Sequence, residues 1–280
     1  MNKTMNTISQ TFNWNRFVAA LKKEVIENWR TLLLSTIGIY GTLALIMIIG
    51  NIIFGATSTR PETMLRYNMV FVVYGFGSII VASLAFRGLK DKKGRTEFLT
   101  SPSSTLEKYL VNVLIYVVGF IVIFPICAQL ADLTRILVLW PWSDGDVPGP
   151  INFLSTFHNV AHQQEWWKLD SKVILEISLW LSILVSPALY LLGSVLWPKL
   201  SFLKTFAAVY VIEIIVFILA MICISIFSDI QTAAKWIKGL GQNTAMLWYI
   251  ALLVIQLIVY WPLSWYLFKR KDVVSLKWWK

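Results

Sequence analysis

Charge is scarce in this sequence, and so are cysteine and histidine. Only 14% of the 280 residues are charged, and two are cysteine and two histidine, whereas 57% are hydrophobic. Soluble domains carry about a quarter charged residues, so this composition excludes an ordinary soluble domain. Cys127 and Cys223 lie inside apolar runs, where cysteine usually serves as a small core residue. The polar first thirty residues lack the short apolar core of a cleavable signal peptide, so we expect none.

The motifs of common enzyme classes are missing as well. The sequence has no G-x-x-x-x-G-K-[ST] phosphate loop, which an ATPase of that class uses to hold the nucleotide phosphates. It also has neither H-E-x-x-H nor G-x-S-x-G, the motifs of zinc proteases and serine hydrolases. We therefore expect no enzyme activity, no catalytic residues and no cofactor bound by this chain.

Six long apolar runs indicate helices that cross a membrane. Each is close to the length of about twenty residues that a helix needs to span the hydrocarbon core, whereas a membrane β-barrel would show short segments of alternating hydropathy. The predicted fold is an all-α polytopic membrane protein whose transmembrane domain covers residues 31–268. The predicted spans are 31–54, 69–86, 109–133, 172–196, 203–228 and 246–268.

Lysine and arginine predict the orientation of these spans. With a cytoplasmic N-terminus, the inner segments hold 18 of these residues and the outer segments hold 7, as the positive-inside rule requires. We therefore expect both termini in the cytoplasm, a basic cytoplasmic tail at 269–280 and an extracytoplasmic loop at 134–171. The cations are spread over four inner segments, which suits contact with lipid headgroups and argues against nucleic-acid binding.

Residues 1–30 predict an amphipathic helix that lies along the inner membrane surface. Apolar residues recur every four positions, and charged residues occupy most of the other side. One interpretation is a membrane anchor, and a second is a helix that also receives a cytoplasmic partner. The apolar stripe consists of Phe17, Leu21, Val25 and Trp29.

On this topology a charged insert at residues 87–108 lies in the cytoplasm. Ser101-Pro102 ends a short helix, because a residue before proline is biased away from the α region. Ser104 and Glu107 then fit a capping box, in which the two side chains satisfy backbone N–H groups at a helix start. The pattern predicts a short helix, a rigid elbow and a capped helix that continues into span three. A plain surface turn organised by the same signals is the alternative.

This insert is similar to the segment that follows the second span in type-2 permeases of ATP-binding-cassette (ABC) exporters. That family carries a basic segment and then a pattern like G-T-x-E-x-L-L-x-S-P before a polar helix start. The six spans, the cytoplasmic termini and the amphipathic first helix also resemble the family, so the likeness covers the chain in outline and residues 94–110 in detail. The matching residues are Gly94, Thr96, Glu97, Phe98, Leu99, Ser101 and Pro102, followed by Leu106, Glu107 and Lys108.

The resemblance implies a function and partners. In that family the segment is a coupling helix that docks into a cleft of a cytoplasmic ATP-binding subunit, which carries the ATP and Mg²⁺. This chain would then be the permease of an exporter in a bacterial inner membrane, paired with a second copy or a related permease. Two other classes stay open: a non-transporting interaction, sensor or immunity protein, and an intramembrane enzyme. The implied docking residues are Gly94, Arg95, Thr96, Glu97, Phe98, Leu99, Ser101 and Pro102.

Two polar residues lie near the middle of predicted spans. Glu213 and Gln256 fall at similar depths in spans five and six. A carboxylate near the bilayer midplane is costly unless it is paired or protonated. The two residues either form polar contacts between neighbouring helices or line a transport path.

The predicted outer segment contains two further polar groups. His158, His162 and Glu165 share one helix face by their spacing, and they either ligate zinc or form a polar surface. Asp132 and Arg135 lie three residues apart at the outer end of span three, and the spacing predicts that they pair.

Overall fold

The computed structural model describes residues 12–54, 61–91, 94, 96, 101–142, 149–150, 152–162, 169–227 and 242–270. This part of the chain is helical, contains no strand, and has six helices long and apolar enough to cross a membrane. The predicted all-α polytopic fold is therefore confirmed. The helices are α1 (Trp14–Phe54), α2 (Pro61–Ser83), α3 (Thr105–Val113), α4 (Gly119–Leu139), α5 (Phe153–His162), α6 (Leu169–Leu196), α7 (Ser201–Phe227) and α8 (Gln242–Lys269).

The first helix is much longer than a membrane span. α1 runs for 41 residues without a break, which is about 60 Å at the rise of an α-helix and about twice the thickness of the hydrocarbon core. The amphipathic segment and the first span are thus one continuous helix, with no interruption between residues 30 and 31. Roughly half of α1 must extend beyond the hydrocarbon.

The third span consists of two helices with a wider turn between them. α3 and α4 are joined by a π-helical turn, Leu114–Val118, and together form the apolar segment Thr105–Leu139. Pro125 lies inside α4. Proline also interrupts the hydrogen bonding of α6 at Pro187 and of α8 at Pro262.

α6 is the central helix of the bundle. It packs against α2, α5, α7 and α8, while α1 packs against α2, α3 and α4. We call the end of the bundle where α1 and α3 begin and α8 ends the basic end, and the other the opposite end. An aromatic cluster around Phe86, Tyr109 and Phe268 fills the core near the basic end.

A second aromatic cluster fills the core towards the opposite end. Tyr74 packs edge-on against Phe124 with ring centroids 5.0 Å apart. Phe153, the first residue of α5, joins them with its centroid 5.7 Å from that of Phe124. The predicted outer loop 134–171 therefore contains a helix that packs on the bundle, against α2 and α6.

Candidate docking site at the basic end

The start of α3 carries the predicted capping box. The Ser104 hydroxyl accepts a hydrogen bond from the backbone N–H of Glu107 at 3.2 Å, and the backbone N–H of Ser104 donates to Glu107 Oε2 at 2.8 Å. The first helical residue after this cap is Thr105. The insert thus passes into span three through an ordered helix start.

The start of α1 lies against the same carboxylate. The side chain of Asn13 caps α1, since its Oδ1 accepts from the backbone N–H of Asn15 at 3.0 Å. The backbone N–H of Asn13 donates to Glu107 Oε1 at 2.7 Å, and Arg16 Nη2 donates to the same oxygen at 3.2 Å. Glu107 therefore serves two helix N-termini at once.

Electrostatics favour a charged carboxylate at this position. The side chain of Glu107 is fully buried, and such a charge is tolerated only when it is paired and hydrogen-bonded. Both helix starts direct partly positive N–H groups towards it, and the guanidinium of Arg16 supplies a full positive charge. We call Asn13, Arg16, Ser104 and Glu107 the Glu107 junction.

A cavity of about 390 Å³ lies beside the Glu107 junction. One side of the cavity is formed by α1 residues that recur every three or four positions and therefore share one helix face, the α1 stripe. Ala19 and Ala20 are the short side chains of this face, and the longer ones are polar. On the other sides lie the insert and the first turns of α3. The polar members of the α1 stripe are Arg16, Lys23, Glu24, Glu27 and Asn28.

The cavity wall carries charges of both signs, and several are already engaged. Lys23 Nζ lies 3.6 Å from Glu27 Oε1, and Asn28 Nδ2 donates to Glu24 Oε1 at 2.8 Å. Lys108 lies on the α3 side and is only 8% exposed. A wall of mixed sign suits the equally mixed polar surface of a protein better than a polyanion such as nucleic acid.

The described part of the predicted docking segment borders this cavity. Gly94, Ser101 and Pro102 all line it, and Thr96 is helical and exposed. A Cβ added at Gly94 would come within 2.6 Å of the carbonyl oxygen of Gly88, so the close approach of these two backbones requires glycine. The remaining docking residues, Arg95, Glu97, Phe98 and Leu99, lie outside the described residues.

The predicted apolar stripe of the first helix is only partly covered by protein. Phe17 is buried and Leu21 is partly buried, whereas Val25 is 41% and Trp29 52% exposed. The polar stripe of α1, in contrast, faces the cavity. This arrangement leaves part of the apolar side uncovered by protein, and α1 continues from this stripe into the first span without a break.

The outer polar groups lie far from this site. Arg135 Nε donates to Asp132 Oδ1 at 2.7 Å, so the predicted pair is confirmed, and both side chains are buried. His158 Nδ1 lies 3.2 Å from Glu176 Oε2 on α6. In the described part of the chain no three potential metal ligands come together. The side chain of His162 and all of Glu165 fall outside that part.

Glu213 and Gln256, the polar residues predicted near the middle of spans five and six, do not belong to this site. Glu213 is exposed on α7, and Gln256 is partly buried on α8. Neither lines the cavity.

Comparison of the chain with models of known protein families, with curated proteins and with solved structures found no match. The site must therefore be interpreted from its own geometry. The sequence pattern identified the cap at Glu107 but missed its contact with Asn13 and Arg16. The available signal was the Asn13 helix cap together with the alanines and polar residues spaced along one face of α1.

Proposed function

We propose that the chain is the membrane-spanning subunit of an ATP-driven exporter. Its ATP-binding partner is a separate protein that docks at the basic end, on the insert and the polar stripe of α1. The observation that carries this proposal is the Glu107 junction, which ties the segment next to the insert to both α1 and α3. The likeness of Gly94–Pro102 to an exporter coupling segment supports it.

The proposed coupling uses stiff elements throughout. A partner that pushes on the insert moves Ser101-Pro102, and the capped start of α3 follows because the cap fixes its backbone. The Glu107 carboxylate passes the same displacement to α1 through Asn13 and Arg16. Two spans would then respond together to closure of the ATP-binding subunits, as alternating access requires.

The proposed assembly contains two permease chains, identical or related, above two ATP-binding subunits. ATP and Mg²⁺ would lie on those subunits, while the permeases provide the path. The excess of lysine and arginine in the segments of the basic end supports a cytoplasmic location for that end in a bacterial inner membrane.

The test takes as candidate partner a phosphate-loop ATPase encoded by a gene next to that of this chain, and the absence of such a gene would itself count against the proposal. We expect the two proteins to co-purify from membranes, and the permease in liposomes to alter the ATPase rate. Phe98→Asp should abolish both effects, because a charge on the implied docking segment opposes burial in the partner's cleft.

Leu200→Asp is the matched control for this test. Leu200 is 69% exposed in the turn between α6 and α7, and its φ of 56° suits aspartate. The control should behave like the parent chain. Equal behaviour of both variants, or no co-purification, would contradict the proposal. Persistent co-purification without substrate transport would instead favour a non-transporting interaction or sensor protein, and a catalytic activity of the isolated chain lost in Glu213→Gln would favour an intramembrane enzyme.

A further inference from the structure

The middle of α7 is not covered by the other described helices. Among the α7 residues whose side chains the structure describes, the two that are buried, Ser201 and Thr205, lie in its first two turns. Every residue from 211 to 219 is exposed, although this stretch covers all sides of the helix. A fully apolar helix can be surrounded by lipid, because its backbone groups are hydrogen-bonded within the helix. The exposed stretch of α7 needs an explanation because it contains a charged residue.

Glu213 is the exception in that exposed stretch. It lies twelve residues after the start of α7 at Ser201, which places it about 18 Å along the axis and near the middle of the membrane. Within the described residues it makes no hydrogen bond or ion pair, although Tyr190 on α6 lies within electrostatic reach of it. Intramembrane carboxylates face the interior of a bundle or a water-filled cavity in nearly all membrane proteins, because exposure to lipid is costly. A second chain packed on this face of α7 would provide such an interior.

The same chain carries a suitable partner group on α8. Gln256 lies thirteen residues before the end of α8 at Lys269, which is about 20 Å along the axis and matches the depth of Glu213. Its side-chain amide has two N–H donors for a carboxylate. One face of α8 around it is exposed to lipid, with Leu252 49%, Ile255 61% and Val259 46% exposed.

We propose that α7 of one copy of this chain packs against α8 of a second copy, so that Glu213 accepts a hydrogen bond from Gln256 of that copy. A two-fold axis along the membrane normal makes the contact twice and keeps both copies in the same orientation. α7 and α8 run in opposite directions, so they meet antiparallel with the two polar groups at one depth. The inference rests on the proposed function only in placing two permease chains in the assembly.

Disulfide cross-linking tests the geometry. Two differently tagged copies, each with its native cysteines replaced by alanine, are co-expressed, one with Glu213→Cys and the other with Gln256→Cys. Mild oxidation in membranes should give a cross-linked dimer. Val118, 47% exposed and thirteen residues after the start of α3 at Thr105, provides a depth-matched control when it replaces Gln256 as the cysteine site. Equal cross-linking of the control, or cross-linking of Glu213→Cys to a different protein, would overturn the inference.

Dimer affinity in liposomes tests the polar contact itself. Single-molecule photobleaching at varied protein-to-lipid ratios should show that Glu213→Leu weakens the dimer about ten- to four-hundredfold, since each interhelical polar contact in a membrane is worth about three- to twentyfold and the dimer loses two of them. Glu213→Gln should stay near the parent value, because its amide still pairs with Gln256. An unchanged dimer in Glu213→Leu, or a parent chain that is monomeric at all ratios, would overturn the inference.

These outcomes are separable from those of the proposed function. No ATP-binding subunit is present in either experiment. A chain that stimulates the ATPase but gives no specific cross-link between residues 213 and 256 would overturn the α7–α8 contact alone. A dimer of the expected geometry that recruits no ATPase would overturn the proposed function and leave the contact standing.

Discussion

Arg16 and Glu107 lie 91 residues apart in sequence, yet the guanidinium of one is 3.2 Å from the carboxylate of the other. The pair is asymmetric, since the Arg16 side chain is 41% exposed and that of Glu107 is fully buried. Removing Arg16 and removing Glu107 should therefore lower the stability of the protein by different amounts. Loss of Arg16 leaves the carboxylate with its backbone donors, whereas loss of Glu107 deprives two helix starts of their acceptor.

We expect Glu107→Ala to destabilise the protein by about 2–3 kcal/mol, the combined scale of a lost helix cap and a lost charged hydrogen bond. Unfolding in detergent, followed by circular dichroism, measures the change. Glu27→Ala is the control: Glu27 is 52% exposed and pairs with Lys23 on the same helix, so its loss should cost less than about 0.5 kcal/mol. Equal effects of the two substitutions would contradict the role of the Glu107 junction.

The buried pair Asp132–Arg135 predicts a non-additive pattern. Asp132→Ala alone should cost about 3 kcal/mol or more, because it removes an acceptor 2.7 Å from a fully buried guanidinium. The double variant Asp132→Leu/Arg135→Met removes both charges and should be less destabilised than the single variant. SDS-induced unfolding of the parent chain, the single variant and the double variant gives the comparison, and a double variant destabilised as much as the single variant or more would refute the prediction.

The contact between α6 and α7 depends on Gly193. A Cβ at this position would overlap the hydroxyl of Thr205 and lie 2.8 Å from its Cβ. Gly193→Ala should therefore separate the two helices and cost about 1–3 kcal/mol, the usual penalty for overpacking. The same change at Gly38, where nothing lies within 4 Å of the added Cβ, should be neutral or slightly stabilising. Thermal unfolding in one detergent measures both, and partial rescue by Thr205→Gly would identify the clash as the cause.

A hydrogen bond between Tyr109 and Ser264 joins α3 to α8, with the two hydroxyl oxygens 2.6 Å apart. Tyr109→Phe keeps the ring in its aromatic cluster, and Ser264 still donates to the carbonyl oxygen of Trp261 at 2.8 Å. The loss should thus be modest, about 0.5–1.5 kcal/mol. A double-mutant cycle with Ser264→Ala measures the coupling, which should vanish if the two hydroxyls do not interact.

The sequence predicted the features that depend on local pattern. Hydropathy located six spans because each helix must satisfy its backbone within the bilayer. The spacing of Ser104 and Glu107 predicted a cap, and that of Asp132 and Arg135 predicted a pair, because both depend on neighbouring turns of one helix.

Contacts between distant segments could not be predicted in this way. The contact of Glu107 with Asn13 needs two helix starts to meet, and nothing local encodes that meeting. The apolar periodicity at Phe17, Leu21, Val25 and Trp29 indicated an amphipathic helix but not which side would face protein. Predicted roles for Gly94–Pro102 depend on a partner and stay predictions, as does the zinc interpretation of His158.

The π-helical turn Leu114–Val118 changes the helical register between the two halves of span three. A π turn accommodates one extra residue in a helix, and each α-helical residue turns the chain by about 100°. The side chains before the turn, such as Tyr109, are therefore aligned with α8, while those after it, such as Phe124, are aligned with Tyr74 on α2. A regular α-helix through this segment would lack that change of register and could align only one of the two halves with its neighbour. Span three thus keeps two faces in register with two different helices, α8 before the turn and α2 after it.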